Sequence, residues 1–180
     1  AVAGEPARPY YYYRLSELYL QAGVPALAEG ALGQAIDLAP EDAFYHYKLG
    51  ELRFRQGRWE AAASAYQEAV QRSPLDDFYH LRLAAAQIRL GRRDDAVEVL
   101  ERAVLIAPDN RAYRYLLGEL LAGMGDGAAA DQHLRRAGSL GAYDCDYVRR
   151  VKTRSGELSS DESLVLISGT QDLLRAQGLR

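Results

Sequence analysis

The chain has 180 residues, and 22 Lys and Arg residues against 25 Asp and Glu residues give it a net charge of -3 at pH 7. This balance argues against nucleic acid as the main partner, because a phosphate-binding face usually carries a cationic excess. A single Cys excludes an intrachain disulfide and a Cys-based zinc site, and no apolar run is long enough to span a membrane.

Residues 1–8 form a short extension before the first predicted helix. They show no basic start followed by an apolar stretch, so they do not form a complete signal peptide. The first residue is not Met, and removal of Met, cleavage of a signal peptide and trimming explain this equally well. The sequence therefore leaves two localisations: the cytoplasm or, if a signal peptide has been cleaved, the periplasm or the extracellular space.

From residue 9 onward the sequence repeats every 34 residues, and four units fit without an insertion: 9–42, 43–76, 77–110 and 111–144. Large residues, small residues and glycines recur in fixed columns. The clearest columns are Leu15, Leu49, Leu83 and Leu117; Ser16, Gly50, Ala84 and Gly118; Gly23, Gly57, Gly91 and Gly125; and Ala28, Ala62, Ala96 and Ala130. An array of this kind buries its apolar faces by stacking neighbouring units.

Each unit is predicted to form two helices joined by a tight turn. In the second unit, the segment from Trp59 to Arg72 has helical rather than alternating apolar spacing. Its apolar face consists of Ala62, Ala65, Tyr66, Ala69 and Val70. Gly57 permits a turn with a positive φ, and Pro74 ends the second helix because proline cannot continue it.

The predicted helices also have identifiable starts and one weak point. Residues with N-capping side chains stand before the expected helix starts: Asp42, Ser73, Asp76 and Asp109. Gly30 and Gly33 lie inside the second helix of the first unit, where each costs roughly 1 kcal/mol relative to Ala. We expect that helix to depend on packing against the second unit.

These columns resemble the tetratricopeptide repeat, a pattern of an aromatic residue, Leu-Gly, a large residue, Ala, an aromatic residue, Ala and Pro. The second unit carries it as His46, Leu49, Gly50, Arg53, Ala62, Tyr66, Ala69 and Pro74. The departures are His46 and Arg53 there, Ser16 for the first Gly, and Ala142 for the fourth Pro. The resemblance implies an all-α fold, a right-handed α-solenoid or superhelix of four helix–turn–helix units.

Two elements are predicted after the repeats. Residues 145–154 form a short basic helix with Tyr147, Val148 and Val151 on one face, which suits a C-terminal cap of the array. In the tail, residues 155–180, Ser159 and Glu162 have capping-box spacing before an apolar stretch, Leu164–Ile167. A last helix over about 160–176 is our interpretation, and a short strand at Leu164–Ile167 is the alternative.

In the family, the first helices of the units line a concave groove that holds an extended peptide or a partner helix. The residues that resemble groove positions here are Tyr10, Tyr13, Glu17, Phe44, Tyr47, Glu51, Phe78, Leu81, Tyr115 and Glu119. The aromatic residues offer contact area at low entropic cost, and the Glu residues favour Arg or Lys in the ligand. The alternative is that the Tyr residues pack between helices and the Glu residues pair with Arg14 or Arg55 on their own helices.

A self-assembling role is the second hypothesis. Tyr11 and Tyr12 stand in columns whose members in the later units are expected to face the preceding unit. The N-terminal end is therefore expected to be uncapped. A longer array, a fold-back of residues 1–8 or of the tail, and a second copy of the chain would each cover it. In a head-to-tail oligomer the contact residues would be Tyr11, Tyr12, Leu164, Val165, Leu166 and Ile167. The column Tyr11, Tyr45, Tyr79 and Tyr113 is otherwise predicted to pack between helices.

Signals for chemistry are weak. Residues 125–130 match a loose G-x-G-x-x-A pattern but follow a helix instead of a strand, which favours a turn over a dinucleotide site. His46 and His80 replace an aromatic residue and are predicted to pack, and Asp144-Cys145-Asp146 is interpreted as a cap and turn. No catalytic signature is present, so we expect no enzymatic activity, no metal and no cofactor.

Chaperone-binding members of the family hold a C-terminal carboxylate with Lys, Asn and Arg from successive first helices. The corresponding positions here are Tyr13, Glu17, Lys48, Phe78 and Arg82. Most of that clamp is missing and one member is acidic, so we predict that the chain does not capture a terminal carboxylate.

The leading hypothesis is a non-enzymatic scaffold or adaptor that binds a peptide or helix of a partner protein in its groove. The alternatives are a self-assembling structural subunit and the targeting domain of a larger enzyme. The identity of the partner and its pathway are left open by the sequence.

Overall fold

In a computed structural model of the chain, the described residues, 8–139, form eight α-helices and no β-strand. The helices are α1 (Pro9–Gln21), α2 (Pro25–Leu38), α3 (Ala43–Arg55), α4 (Trp59–Arg72), α5 (Asp77–Arg89), α6 (Arg93–Ile106), α7 (Arg111–Met124) and α8 (Gly127–Ser139). None of these helices has the length and apolar composition needed to cross a membrane. The predicted all-α repeat fold is confirmed. The predicted cap at 145–154 and the tail at 155–180 lie outside the described residues.

Each helix pair is joined by a turn with glycine in the left-handed backbone region. The φ angles are 73° at Gly23, 73° at Gly57, 74° at Gly91 and 90° at Gly125. An L-residue with a Cβ is strained at these angles, which is why the turn column contains only glycine. The predicted turns with positive φ are thus confirmed.

Two of the four predicted N-caps are correct. The side chains of Asp42 and Asp76 accept hydrogen bonds from the backbone N–H groups of Phe44 and Phe78 at 3.0 and 3.1 Å. The prediction was wrong for Ser73, which lies at the C-terminal end of α4 and donates its N–H to Ala69.

The prediction was also wrong for Asp109, because α7 begins one residue later. Asn110 is the N-cap, and its side-chain oxygen accepts from the N–H groups of Ala112 and Tyr113. Asp109 instead lies 3.3 Å from the guanidinium of Arg136 on α8. An Asn one position further on satisfies the helix start equally well, so the acidic residue is available for an ion pair.

The chain divides into two compact units between Leu75 and Asp76. In the N-terminal unit, α1 packs on α2, α2 on α3, and α3 on α4. Its core contains Ala28, Leu32 and Leu52, with Tyr13, Tyr19 and Leu49 packed against them. The column of small residues that contains Gly50 has a steric cause. A Cβ on Gly50 would lie 2.5 Å from Cδ1 of the buried Tyr66 ring. A residue without a side chain is therefore needed where α3 and α4 touch.

The C-terminal unit repeats this arrangement with different side chains. Here α5 packs on α6, α6 on α7, and α7 on α8. Leu100, Leu117 and Leu120 are fully buried, as is Tyr113, whose hydroxyl donates to Oδ2 of Asp77 at 2.7 Å. The buried phenol is satisfied by a carboxylate at the start of α5, as a hydroxyl removed from water must be.

An ion-pair group links the first and second repeats within the N-terminal unit. Arg53 Nε donates to Glu29 Oε1 at 2.8 Å, and Arg58 Nη1 donates to Glu29 Oε2 at 2.5 Å. Burial alone would raise the pKa of Glu29, but the hydrogen bonds from Arg58 and Arg53 outweigh it and hold the pKa below its ordinary value. Arg53, a departure from the repeat pattern, thus replaces apolar packing with a charged contact to α2.

Candidate partner-binding surface

The strongest candidate site is a set of contacting aromatic rings on α1 and α3 of the N-terminal unit. The ring centroids of Tyr10 and Tyr13 lie 6.1 Å apart, and those of Tyr13 and Phe44 lie 5.0 Å apart with edge-to-face geometry. Tyr10 is 55% exposed, while Tyr13 and Phe44 are half-buried. We call these three residues the aromatic surface. The first helices of neighbouring repeats therefore present one continuous patch of rings.

Tyr45 lies beneath this surface and supports it. Its ring is 5.5 Å from that of Phe44 and 6.4 Å from that of Tyr13, and its side chain is buried. Burial, the charge of Asp42 and the neighbouring Tyr10 raise the pKa of the Tyr45 hydroxyl. Tyr45 belongs to the column predicted to pack between helices, and its burial agrees with that prediction.

A cation lies on the aromatic surface. The Nζ atom of Lys48 is 5.4 Å from the ring centroid of Tyr13, 5.2 Å from that of Phe44 and 5.6 Å from that of Tyr47. All three distances are within the range of a cation–π contact. Lys48 was compared only with the carboxylate clamp, and its contact with the rings was not predicted. The available signal was Phe44, which stands four residues earlier on the same helix face.

Two carboxylates lie on the helices that carry the rings, and each accepts a hydrogen bond from a tyrosine. Glu17 accepts from the hydroxyl of Tyr13 at 2.5 Å and also pairs with Arg14 at 2.5 Å. Glu51 accepts from the hydroxyl of Tyr66. The Arg14–Glu17 pair is one of the contacts that the alternative interpretation anticipated. Both carboxylates are half-buried.

The remaining predicted groove residues fall into two groups. Tyr47 is only 2% exposed and stacks on Tyr66 with 6.3 Å between ring centroids, and Phe78 and Leu81 of α5 are also buried. Tyr115 and Glu119 of α7 are half-buried. The buried members are supporting residues in the free protein. The accessible rings of the predicted surface are Tyr10, Tyr13 and Phe44 in one unit and Tyr115 in the other.

A second exposed apolar face lies on α1. Tyr11 is 54% exposed, Leu18 is 57% exposed and Leu15 is also exposed, at positions i, i+7 and i+4 of one helix face. Tyr12, the neighbour of Tyr11 in the self-association hypothesis, is half-buried.

The same columns in α7 have the opposite environment. Tyr113, Leu117 and Leu120 are all buried. Within residues 8–139, the side chains of these three columns are therefore buried in the fourth repeat and exposed in the first.

The histidines do not form a site. The buried rings of His46 and His80 each donate a hydrogen bond to a nearby backbone carbonyl, His46 Nε2–H to Pro40 and His80 Nδ1–H to Asp76, both at 2.9 Å. Burial lowers the pKa of His133, the nearby charge of Arg114 lowers it further, and Glu101 opposes both. Among residues 8–139, no group of three or more His, Cys, Asp or Glu residues could hold a metal ion.

Two other sequence signals have structural explanations. Gly125, the first residue of the G-x-G-x-x-A pattern, lies in the turn between α7 and α8. Of the positions compared with the carboxylate clamp, Phe78 and Arg82 are buried, Lys48 lies over rings, and Tyr13 is bonded to Glu17. These positions do not present three accessible cationic or amide groups.

Comparison with known families decides the class of protein. Models of the tetratricopeptide repeat match residues 7–77, 53–120 and 111–136. The chain belongs to the tetratricopeptide repeat family. Tetratricopeptide repeat proteins bind protein partners and are generally non-enzymatic, so the chain is, in general terms, a protein-interaction scaffold. No curated protein is significantly similar to it in sequence.

Solved structures of MamA, a tetratricopeptide repeat protein, have the same fold. A crystal structure of MamA is 23% identical, with a TM-score of 0.68 over 76% of this chain and 80% of that chain. A MamA structure from Desulfovibrio magneticus RS-1, residues 41 to the end, is 19% identical, with a TM-score of 0.67 over 97% and 99%. A double mutant of MamA RS-1 is 19% identical, with a TM-score of 0.68 over 97% and 98%. At these identities the likeness shows the fold alone.

Proposed function

We propose that the aromatic surface binds a peptide or helix of a partner protein, and that the bound segment carries a basic side chain. The observation that supports this most directly is the continuous contact of Tyr10, Tyr13 and Phe44 across two first helices, with part of each ring accessible. Large rings with few rotatable bonds give interfaces much of their binding free energy. This surface would be the contact area of a non-enzymatic adaptor.

The preference for a basic segment follows from charge. Glu17 and Glu51 lie on α1 and α3, the two helices that carry the rings, and each is held by a tyrosine hydroxyl. Opposite charges across an interface raise the rate of encounter and select against acidic partners. In the C-terminal unit, Tyr115 and Glu119 repeat the ring-and-carboxylate pair on α7 and are proposed contacts of that unit.

The test is capture of a partner from lysate, followed by loss of that same partner in a surface variant. Tyr10→Ala/Phe44→Ala removes two rings of the aromatic surface. Leu27→Ala/Leu105→Ala is the matched control, because it removes two exposed apolar side chains from the second helices α2 and α6. We expect capture to be lost only with the first variant, and circular dichroism should show both variants folded. Undiminished capture by Tyr10→Ala/Phe44→Ala contradicts the proposal.

A second candidate function, self-association, is favoured by the exposed face of α1. Exposed apolar patches that are interior elsewhere in a repeat array are typical of docking surfaces. The proposed occupant is another copy of this chain, which would give a heterologous contact.

Light scattering of the full chain against concentration tests self-association. The mass should rise with concentration, and Leu18→Glu should abolish the rise while Leu105→Glu on α6 does not. A constant monomer mass in all three proteins contradicts this second function.

A further inference from the structure

Two rings of the aromatic surface, with the neighbouring buried ring of Tyr47, form a cation site that the protein fills with its own side chain. Three rings, from Tyr13, Phe44 and Tyr47, surround the ammonium of Lys48 at 5.2 to 5.6 Å. Tyr47 is buried and gives the site a fixed base, whereas Tyr13 and Phe44 keep accessible edges. Ring faces attract cations of any origin, so the same rings would also attract a cation from outside.

We propose that Lys48 is an internal competitor for a ligand arginine. In this inference, which rests on the proposed function, the guanidinium of a partner arginine displaces Lys48 and stacks on Tyr13 and Phe44. A guanidinium is planar and weakly hydrated, so it stacks on rings better than an ammonium does. The displaced ammonium returns to water on its flexible four-carbon stem.

The neighbouring charges favour a cation at this site. Glu17 is hydrogen-bonded to the hydroxyl of Tyr13, and Glu51 stands three residues after Lys48 on α3. A ligand carboxylate would meet both negative groups, whereas a guanidinium would be attracted by both. The occupant is therefore an arginine side chain. An acidic ligand that pairs with Lys48 is the competing outcome.

Small model compounds test the exchange directly. N-acetyl-arginine methylamide is titrated into the full chain while the ring signals of Tyr13 and Phe44 are followed by NMR. N-acetyl-citrulline methylamide, its neutral isostere, and N-acetyl-glutamate methylamide are titrated in parallel. We expect the arginine compound alone to move the ring signals. Movement with the glutamate compound only, or with the arginine and citrulline compounds equally, overturns the proposal.

Two charge-matched variants isolate the role of Lys48. Lys48→Gln removes the internal cation, and Arg55→Gln removes a cation from the exposed end of the same helix. We expect Lys48→Gln to lower the midpoint of the arginine titration about two- to fivefold, the range of one cation–π contact. Arg55→Gln should leave the midpoint near that of the wild type. Lys48→Arg should raise it, because its guanidinium stacks on the rings better than the ammonium of Lys48 and competes more strongly.

An unchanged or raised midpoint in Lys48→Gln, or equal effects of Lys48→Gln and Arg55→Gln, overturns the inference. Thermal unfolding of each variant verifies that the compared proteins are folded. The proposed function has its own test. It is contradicted if Tyr10→Ala/Phe44→Ala still captures the partner, whatever midpoint Lys48→Gln gives in the arginine titration. If that capture is lost and Lys48→Gln leaves the midpoint unchanged, only the inference about Lys48 falls.

Discussion

Gly50 and Tyr66 are in steric contact: a Cβ on Gly50 would lie 2.5 Å from Cδ1 and 2.6 Å from Cε1 of the Tyr66 ring. The ring is fully buried, so it cannot turn out into solvent without losing its packing. Gly50→Ala gains about 1 kcal/mol of helix propensity but should lose more through overpacking, which costs about 1–3 kcal/mol. We expect net destabilisation in urea unfolding. A midpoint equal to or above that of the wild type contradicts the contact.

The two glycines inside α2 should respond in the opposite way. No atom lies within 4 Å of a Cβ added to Gly30 or Gly33. Gly30→Ala and Gly33→Ala should therefore each stabilise the protein by about 1 kcal/mol in thermal unfolding, since Ala favours the helix and meets no obstacle. Gly23→Ala is the control, because the φ of 73° there penalises any residue with a Cβ. Stabilisation by Gly23→Ala would contradict the assigned turn geometry.

The ion-pair group at Glu29 makes stability depend on pH. Burial raises the pKa of Glu29, but hydrogen bonds from Arg58 and Arg53 and their charges lower it more, so the folded pKa is below the ordinary 4.5. A lowered carboxyl pKa stabilises the fold above the unfolded pKa, and this contribution is lost as the pH falls through the folded pKa. Glu29→Gln should cost about 1 kcal/mol at pH 7, and less as the pH falls below 4.5.

Urea unfolding at a series of pH values measures this difference. Glu98→Gln, an exposed substitution on α6, serves as the control. A Glu29→Gln penalty that stays constant from pH 7 to acid would show that charge is not its cause.

The buried hydroxyl of Tyr113 should contribute to the stability of the C-terminal unit. It donates to Asp77 at 2.7 Å across α7 and α5. Tyr113→Phe leaves the ring in place and removes a hydrogen bond to a carboxylate, which should cost about 1.5–3 kcal/mol. A double-mutant cycle with Asp77→Ala, followed by urea unfolding, isolates the coupling between the two side chains. Additive effects of the two substitutions would contradict a direct interaction.

Much of the fold could be predicted from the residue types that recur every 34 residues, because the backbone at these positions accepts only certain residues. A glycine every 34 residues marks a positive φ, and Gly50 marks a close approach of two helices. The prediction for the N-cap of α7 was wrong because Asp109 and Asn110 can both cap a helix, and the sequence does not show at which of them the helix begins. Arg53 departs from the repeat pattern, and its ion pair was not predicted because its partner Glu29 is 24 residues away on another helix.

The candidate site was predictable by helix face but not by exposure. Tyr13 and Tyr47 share a column, yet Tyr13 is half-buried and Tyr47 is buried against Tyr66. A column fixes the direction in which a side chain leaves its helix, whereas burial depends on the neighbouring repeat. Lys48 was missed for the same reason: its cation–π contact includes Tyr13, from a different repeat.

The near-identical φ angles at Gly23, Gly57 and Gly91 have a consequence for how such a protein can change. Because the turn glycine has the same conformation in each repeat, a chain cut at one turn can be joined to the chain that follows another. Recombination between these turns would duplicate or swap 34-residue segments, each made of a second helix and the next first helix, and the glycine turn would keep the same φ. Recognition residues on the helices could then diversify while the turn chemistry stays fixed.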